Sequence, residues 1–467
     1  MANTSSRYAK PSTSVPEQVE TLRKRGLDVG NITDAEALLR QIGYYRLSGY
    51  SYFYKEPPPA DNFKAGTTLS QVKSLYDFDE RLRSVLLEGI SQIEVALRFH
   101  IGHRLGRRDT FAHFFSTELD ENFGRWTAGA NFIEKSEHQR WLHDFLKAEN
   151  RSQEAFAQHF RRKFGPHFPV WVATEIMLFG ILNQLFKAMP ENDRKLIALR
   201  LGLLTNDEDV DSATLTNWLN HLKYVRDVCA HQSRVWNRTF DKLLAKPTSK
   251  NVDELSHWNN ISIRKLYGTI SVIRFLLARI NPSSNWHIFI NSLISDFSRL
   301  SGISMQELGF PKNWEIEHIW QPYYQADFNL IKIVDAIDNT STVNRPEAMR
   351  LLTVKENEAE QKRWIRYLYS HNSIIGHKIG PQMYYPDFQF KNGDVFQPVA
   401  ETNRNLFRRF SNSKLDKSEI SLHVQDWWLR ASTRNGFEMA PIELVVTHPN
   451  HVILASRQWS CTTISLR

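Results

Sequence analysis

Cysteine is nearly absent from this chain: Cys229 and Cys461 are the only two among 467 residues. Two thiols build neither a disulfide framework nor a zinc-ligand cluster, so no metal or other cofactor is expected. Cys229 reads more plainly as a small packing residue than as a nucleophile. Long apolar runs are missing as well. The longest apolar helix candidate, Tyr267 to Ile280, carries Arg274 and Arg279 and is too short to cross a bilayer. The opening MANTSSRYAKPSTS lacks the apolar core of a signal peptide. No membrane partner and a cytoplasmic location are therefore expected. A strong excess of one charge is also lacking. There are 59 Lys and Arg against 51 Asp and Glu, giving a net charge of +8 and a pI of about 9.2. That balance leans toward a polyanionic partner, and a solvated basic surface explains it equally well.

What is present is ordinary soluble composition, with 41% hydrophobic and 24% charged residues and 13 Trp to build cores. The length favours two domains. From about Pro16 to Leu308 the apolar spacing is helical almost throughout, with neither a useful strand alternation nor an evident internal repeat. Leu75, Phe78, Leu82, Val85, Leu86, Ile90, Ile93, Leu97 and Ile101 predict one long amphipathic helix, started by the capping-box pattern Thr68 to Gln71. Glu80, Arg81 and Arg83 are assigned to its opposite face. Further helices are predicted over Val170 to Ala188, Asp211 to Cys229, Ile261 to Ile280 and Trp286 to Leu300. After Trp314 the pattern becomes mixed and reads as a connector with one short helix. Asn344 to Tyr369 is again helical, Ser373 to Phe390 suggests a short hairpin, and Gly393 marks a turn. Helices near Val399 to Arg409 and Ser418 to Arg430 follow, then an apolar run near Val452 to Ala455. The fold class is mainly α, an all-α N-terminal domain followed by a small α+β domain.

The chemistry concentrates in Asn217 to Arg238, NWLNHLKYVRDVCAHQSRVWNR. RNA carries its own nucleophile, the 2′-hydroxyl. Cleavage needs proton transfers that an imidazole can perform near neutral pH, and a cation on the phosphate. Arg226 and His231 supply these groups, and Asp227 can orient either one. Spacing alone decides nothing, because Arg98/His103, Arg108/His113 and Arg162/His167 share it. Five positions on an ideal helix also separate two side chains by about 140°. The helix must therefore end or bulge before His231, or a second subunit must complete the site.

The neighbours of this pair carry a resemblance. Tyr224-Val-Arg-Asp-Val-Cys-Ala-His-Gln-Ser-Arg-Val-Trp-Asn-Arg238 resembles the signature of the Abi (abortive infection, AbiD/AbiF-like) family of the HEPN superfamily. Its mark is Arg, a polar residue, and His after four to six positions. Further blocks agree in order: Lys10-Pro11, the Glu17 to Gly26 helix, Ile42-Gly-Tyr-Tyr-Arg-Leu-Ser-Gly-Tyr50, Ile93 to Arg98 and Gly309-Phe-Pro-Lys-Asn-Trp314. The resemblance spans about residues 7–320. It implies a HEPN-type helical domain, homodimeric, acting as a metal-independent ribonuclease in phage defence, with RNA as substrate or as a bound non-coding RNA. Arg226 would hold phosphate and His231 would act as general acid and base. Arg46 resembles a family position too. Its tyrosine cluster can stack bases, or the arginine can tie helices together. Asn217, His221 and Arg238 complete the candidate RNA-binding residues.

Ile379 to Phe390, Val399-Ala-Glu401, Trp427-Trp-Leu429, Asn435-Gly436 and Ala440 to Leu444 are similar to the toxin-binding domain of Xre/MbcA/ParS-type antitoxins. With 321–344 as connector, 345–467 is expected to be antitoxin-like, binding a toxin or phage protein. The plainer reading is a dimerisation or regulatory module whose core is Phe388, Phe390, Trp427 and Trp428. The alternative for the whole chain is a non-catalytic RNA- or toxin-binding regulator.

Overall fold

A computed structural model describes residues 11–127, 135–203, 210–247, 253–298, 303–321, 324, 342–355, 357–379, 382–411, 413–429, 440–445 and 449–458. The architecture is mainly α, with a few short strands, most of them in the C-terminal region. Two compact units divide it: residues 1–95, 220–244 and 257–324 form the first, and 96–219, 245–256 and 325–467 the second. Both divisions around the candidate site fall inside helices, Leu69–Gly106 and Ser212–Ala230.

The long helix starts where its capping residues say it should. The Thr68 N–H donates to Gln71 Oε1, and the Gln71 N–H donates to Thr68 Oγ1. Leu75, Phe78, Leu82, Leu86, Ile90, Ile93, Leu97 and Ile101 are all buried, as the period of three and four requires. Arg83 does not lie on the opposite face. It is buried on the apolar stripe, one turn after Asp79, with which it pairs at 2.5 Å. An arginine can occupy that stripe only because a carboxylate four residues earlier accompanies it.

In the first unit, Leu266–Ile280 is buried over nearly its whole length. Its two arginines are held internally: Arg274 Nε donates to the Ile319 carbonyl, and Arg279 Nη1 to the Phe275 carbonyl and Tyr324 Oη. Gly89 lets this region close up, since a Cβ there would meet Ile273 and Trp286 at 2.7 Å. The Gly309-to-Trp314 block has a similar logic. Gly309 is left-handed at φ +82 and lies against Lys265, and Phe310 and Trp314 pack with centroids 5.0 Å apart.

In the second unit, the helix expected over Val170 to Ala188 is two helices, Val170–Ile176 and Phe179–Ala188. Met177 is extended, and Arg98 Nη2 takes its carbonyl at 3.2 Å, a partner from distant sequence. The C-terminal residues form a three-stranded antiparallel sheet, with Gln382–Pro386 between Thr342–Asn344 and His377–Ile379. Thr342–Asn344 lies in the expected connector. Residues 380–381, the expected hairpin turn, and 325–341 lie outside the described residues. Asn392 and Gly393, both at positive φ, turn a second hairpin between Phe390–Lys391 and Asp394–Val395. Trp427 and Trp428 are buried with Phe388 against them, and Phe390 packs on a second cluster, so these aromatics are interior. The apolar run near Val452 belongs to a helix, Pro449–Gln458, that packs on Gln397–Arg409.

Candidate functional site

Leu219, Leu222, Val225, Val228 and Cys229 are buried, and they hold the Ser212–Ala230 helix against the core. The alternate positions Lys223, Arg226 and Asp227 are left at the surface. The helix stops at Ala230, so His231 is the residue at its C-terminal cap, and it is exposed. Two crossed hydrogen bonds close the end: the Ser233 N–H reaches the Val228 carbonyl, and the Gln232 N–H the Cys229 carbonyl, both at 3.0 Å. This is a Schellman closure, and Gln232 takes the left-handed position at φ 56 that glycine commonly fills. The His231 N–H still donates to the Asp227 carbonyl at 2.9 Å, so the helical path runs through His231 and the chain turns away only at Gln232. The helix end does not remove the angular separation of about 140° from Arg226.

Two arginines clamp the turn from opposite sides. Arg46, in the helix Tyr44–Ser51, donates to the Gln232 carbonyl at 2.6 Å. Arg234 returns a hydrogen bond to the Gly49 carbonyl. Beneath them lies Asp79, fully buried. It accepts the backbone N–H groups of Trp236 at 2.6 Å and Val235 at 3.1 Å and the Tyr50 hydroxyl at 2.7 Å, beside Arg83. Burial pushes the Asp79 carboxyl above its usual range, and Arg83 and the donors around it oppose that. The same pocket raises the Tyr50 hydroxyl. The loop after His231 is thus nailed to the long helix by one carboxylate.

Arg226 keeps 39% of its side chain exposed and lies 3.5 Å from Asp227 Oδ1. Asp227 is nearer to Lys223, at 2.7 Å, so its carboxylate is shared. Arg46 is exposed beside Tyr45, which is 91% exposed, whereas Tyr50 is interior. Arg46 therefore ties two elements together while remaining open to solvent. Arg238 rests on Tyr224, its Nη2 donating to Tyr224 Oη at 3.2 Å.

His221 needs correction as an RNA-binding candidate. It is buried, with Nδ1 on the Lys242 carbonyl at 2.6 Å and Nε2 on Thr269 Oγ1 at 2.8 Å. Burial lowers its pKa to about 4. A neutral, doubly bonded interior imidazole is a packing group. Asn217, in the second unit, spends its Oδ1 on the Ala245 N–H at 2.6 Å. Cys229 is also interior, and burial pushes its thiol up to about 12, as expected of a packing residue. Arg234 and Asp79 were not among the candidates, Arg83 was expected on the exposed face, and Tyr50 was expected in a base-stacking cluster. The signal available was two opposite charges four residues apart on an apolar stripe.

The three other Arg/His pairs are differently placed. Arg98 serves a backbone carbonyl, His113 is buried, and Arg162 and His167 are exposed around Gly165, with His167 3.5 Å from Glu149.

Residues 37–237 match the family model described as Abi-like protein. The match takes in Arg46, Arg226, Asp227 and His231 and ends one residue before Arg238. No curated protein and no solved structure matches the chain. No helix among the described residues is long and apolar enough to cross a membrane.

Proposed function

We propose that the Abi-like segment is a HEPN-type, metal-independent ribonuclease of phage defence, with Arg226 and His231 as its chemical centre. The observation that carries this reading is the exposed His231 imidazole at the helix end, one residue before the carbonyl that Arg46 grips. An acid–base group on a turn held by Arg46 and Arg234, with Arg226 on the helix that leads into it, suits a polyanion whose reacting phosphate must be fixed.

In the reaction, the 2′-oxygen attacks the adjacent phosphorus and the bond to the 5′-oxygen breaks. The 2′-hydroxyl proton leaves to an imidazole, and the 5′-oxygen receives a proton from an imidazolium. The products are a 2′,3′-cyclic phosphate and a 5′-hydroxyl. Arg226 neutralises charge on the non-bridging oxygens, and Asp227 restrains Arg226. In a homodimer the second copy's imidazole can perform the opposite proton transfer. The C-terminal domain is assigned a regulatory role, holding the nuclease inactive or receiving a toxin or phage protein.

The test is cleavage of single-stranded RNA by purified protein in excess chelator, with end-group analysis. His231→Ala and Arg226→Ala are each expected to lower the rate at least a hundredfold, with unchanged far-UV spectra and melting. Wild-type rates in both variants would falsify the assignment.

A further inference from the structure

We propose that a cleft in the second unit, formed by the end of the long helix and the helix Val170–Ile176, takes one unstacked base of a single-stranded RNA. The choice of RNA rests on the ribonuclease reading, while the site itself rests on its own geometry. Arg98, Phe99, His103, Arg107, Trp171 and Glu175 line a cleft of about 280 Å³. None of them belongs to the cluster around His231.

The cleft is built by two glycines. Gly102 and Gly106 lie one turn apart on the long helix. A Cβ on Gly102 would meet the Trp171 Cα and Thr174 Oγ1 at 2.9 Å, and one on Gly106 would meet the Trp171 ring at 2.9 Å. Only bare backbone lets the Trp171 indole lie this close to the helix. Even so, Trp171 remains 47% exposed and Phe99 59% exposed. Phe99 runs nearly parallel to the His103 ring, at 16° and 5.5 Å between centroids. Two large rings are therefore seated firmly and left open to water around a concave space.

The size and the charge choose the occupant. The space is smaller than a drug-sized pocket and too small for a packed helix, but it admits a single planar ring. Around the rings stand Arg98, fixed through the Met177 carbonyl, and Arg107. Guanidinium groups beside aromatic faces match a base with its flanking phosphates, and stacking on such rings tolerates any base. Glu175, exposed at the rim, offers acceptors to base N–H groups. A partner protein would favour a broad apolar face with fewer charges at its centre.

The experiment uses full-length protein and a fluorescein-labelled, 2′-deoxy-substituted single strand, which lacks the attacking hydroxyl and cannot be cut. Trp171→Ala and Phe99→Ala are expected to weaken binding roughly tenfold by anisotropy, and Trp171→Phe by less than about threefold. Arg107→Ala is expected to weaken binding and to flatten its salt dependence by about one phosphate contact. A double-stranded competitor of the same sequence is expected not to displace the strand. Unchanged affinity in Trp171→Ala and Arg107→Ala overturns the proposal, as does failure of the wild type to bind the probe. A Trp171→Ala protein that changes oligomeric state at unchanged affinity also overturns it, and makes this face a protein interface. Because the probe is uncleavable, the two readings fail separately. Normal cleavage by His231→Ala defeats only the nuclease assignment, and normal binding by Trp171→Ala with dead His231→Ala defeats only this one.

Discussion

His221 and His231 sit ten residues apart in one short stretch, and their environments assign them opposite work. His221 has both ring nitrogens satisfied inside the first unit, while His231 has its ring at the surface beyond a helix end. Removing His221 takes a buried partner from the Lys242 carbonyl and from the Thr269 hydroxyl and leaves a void. His221→Ala is therefore expected to cost about 2–4 kcal/mol of stability, read by urea unfolding. Its cleavage rate per folded molecule is expected to stay within about threefold of wild type. His231→Ala should give the reverse, with stability within about 0.5 kcal/mol and cleavage lost. If the two variants behave alike in both measurements, the division between packing and chemical histidines is wrong. The sequence alone could not separate them, because both follow helical spacing and both are polar. The Lys242 carbonyl, brought back by the loop after the helix, and the Thr269 hydroxyl identify the buried one.

At the scale of elements, the long helix was legible because its apolar period and its capping residues agree, two local signals with one answer. The end of the Ser212–Ala230 helix was legible to within one residue, Cys229 against Ala230, but the way it closes was not, because its stop signal is unconventional. Glycine usually marks the left-handed closing position, and here Gln232 holds it at φ 56. A side chain there costs about 1 kcal/mol, offset by the Arg46 bond to its carbonyl and by Asp79 below. Gln232→Gly should thus gain up to about 1 kcal/mol, while Gln232→Val, β-branched in the same conformation, should lose more than that and slow cleavage by loosening His231. Thermal melts and rates of the pair check the turn; equal melting of all three proteins would contradict it. Asp79 is the harder anchor. Asp79→Asn keeps the shape but abandons the charge of Arg83 in the interior, and a loss of about 3–5 kcal/mol is expected in urea unfolding. The break at Met177 was invisible for the same kind of reason: neither Pro nor Gly stands at that residue, and the group that captures its carbonyl, Arg98, comes from a distant helix.

Across the whole molecule, interior histidines make stability depend on acid. Burial holds His113 at about 3, and His221, His257 and His377 at about 4, against roughly 6.5 in an unfolded chain. The folded protein refuses protons that the unfolded chain accepts, so stability is complete above about pH 7 and falls as pH drops from about 6.5 toward 4. His113 offers the cleanest measurement. It is fully buried among Phe114, Trp141 and Phe145, and neither ring nitrogen has a hydrogen-bond partner among the described residues. Its share of the loss reaches about 3 kcal/mol by pH 4.5. His113→Phe removes the titrating group and keeps a planar ring in an aromatic pocket, so stability at pH 7.5 should change by less than about 1.5 kcal/mol. The fall between pH 6.5 and 4.5 should shrink by about the His113 share. Urea unfolding of both proteins at the two pH values measures this directly. An undiminished slope in His113→Phe would mean that the unfolded chain gains its protons elsewhere, and that the aromatic pocket around residue 113 is not a source of the acid sensitivity.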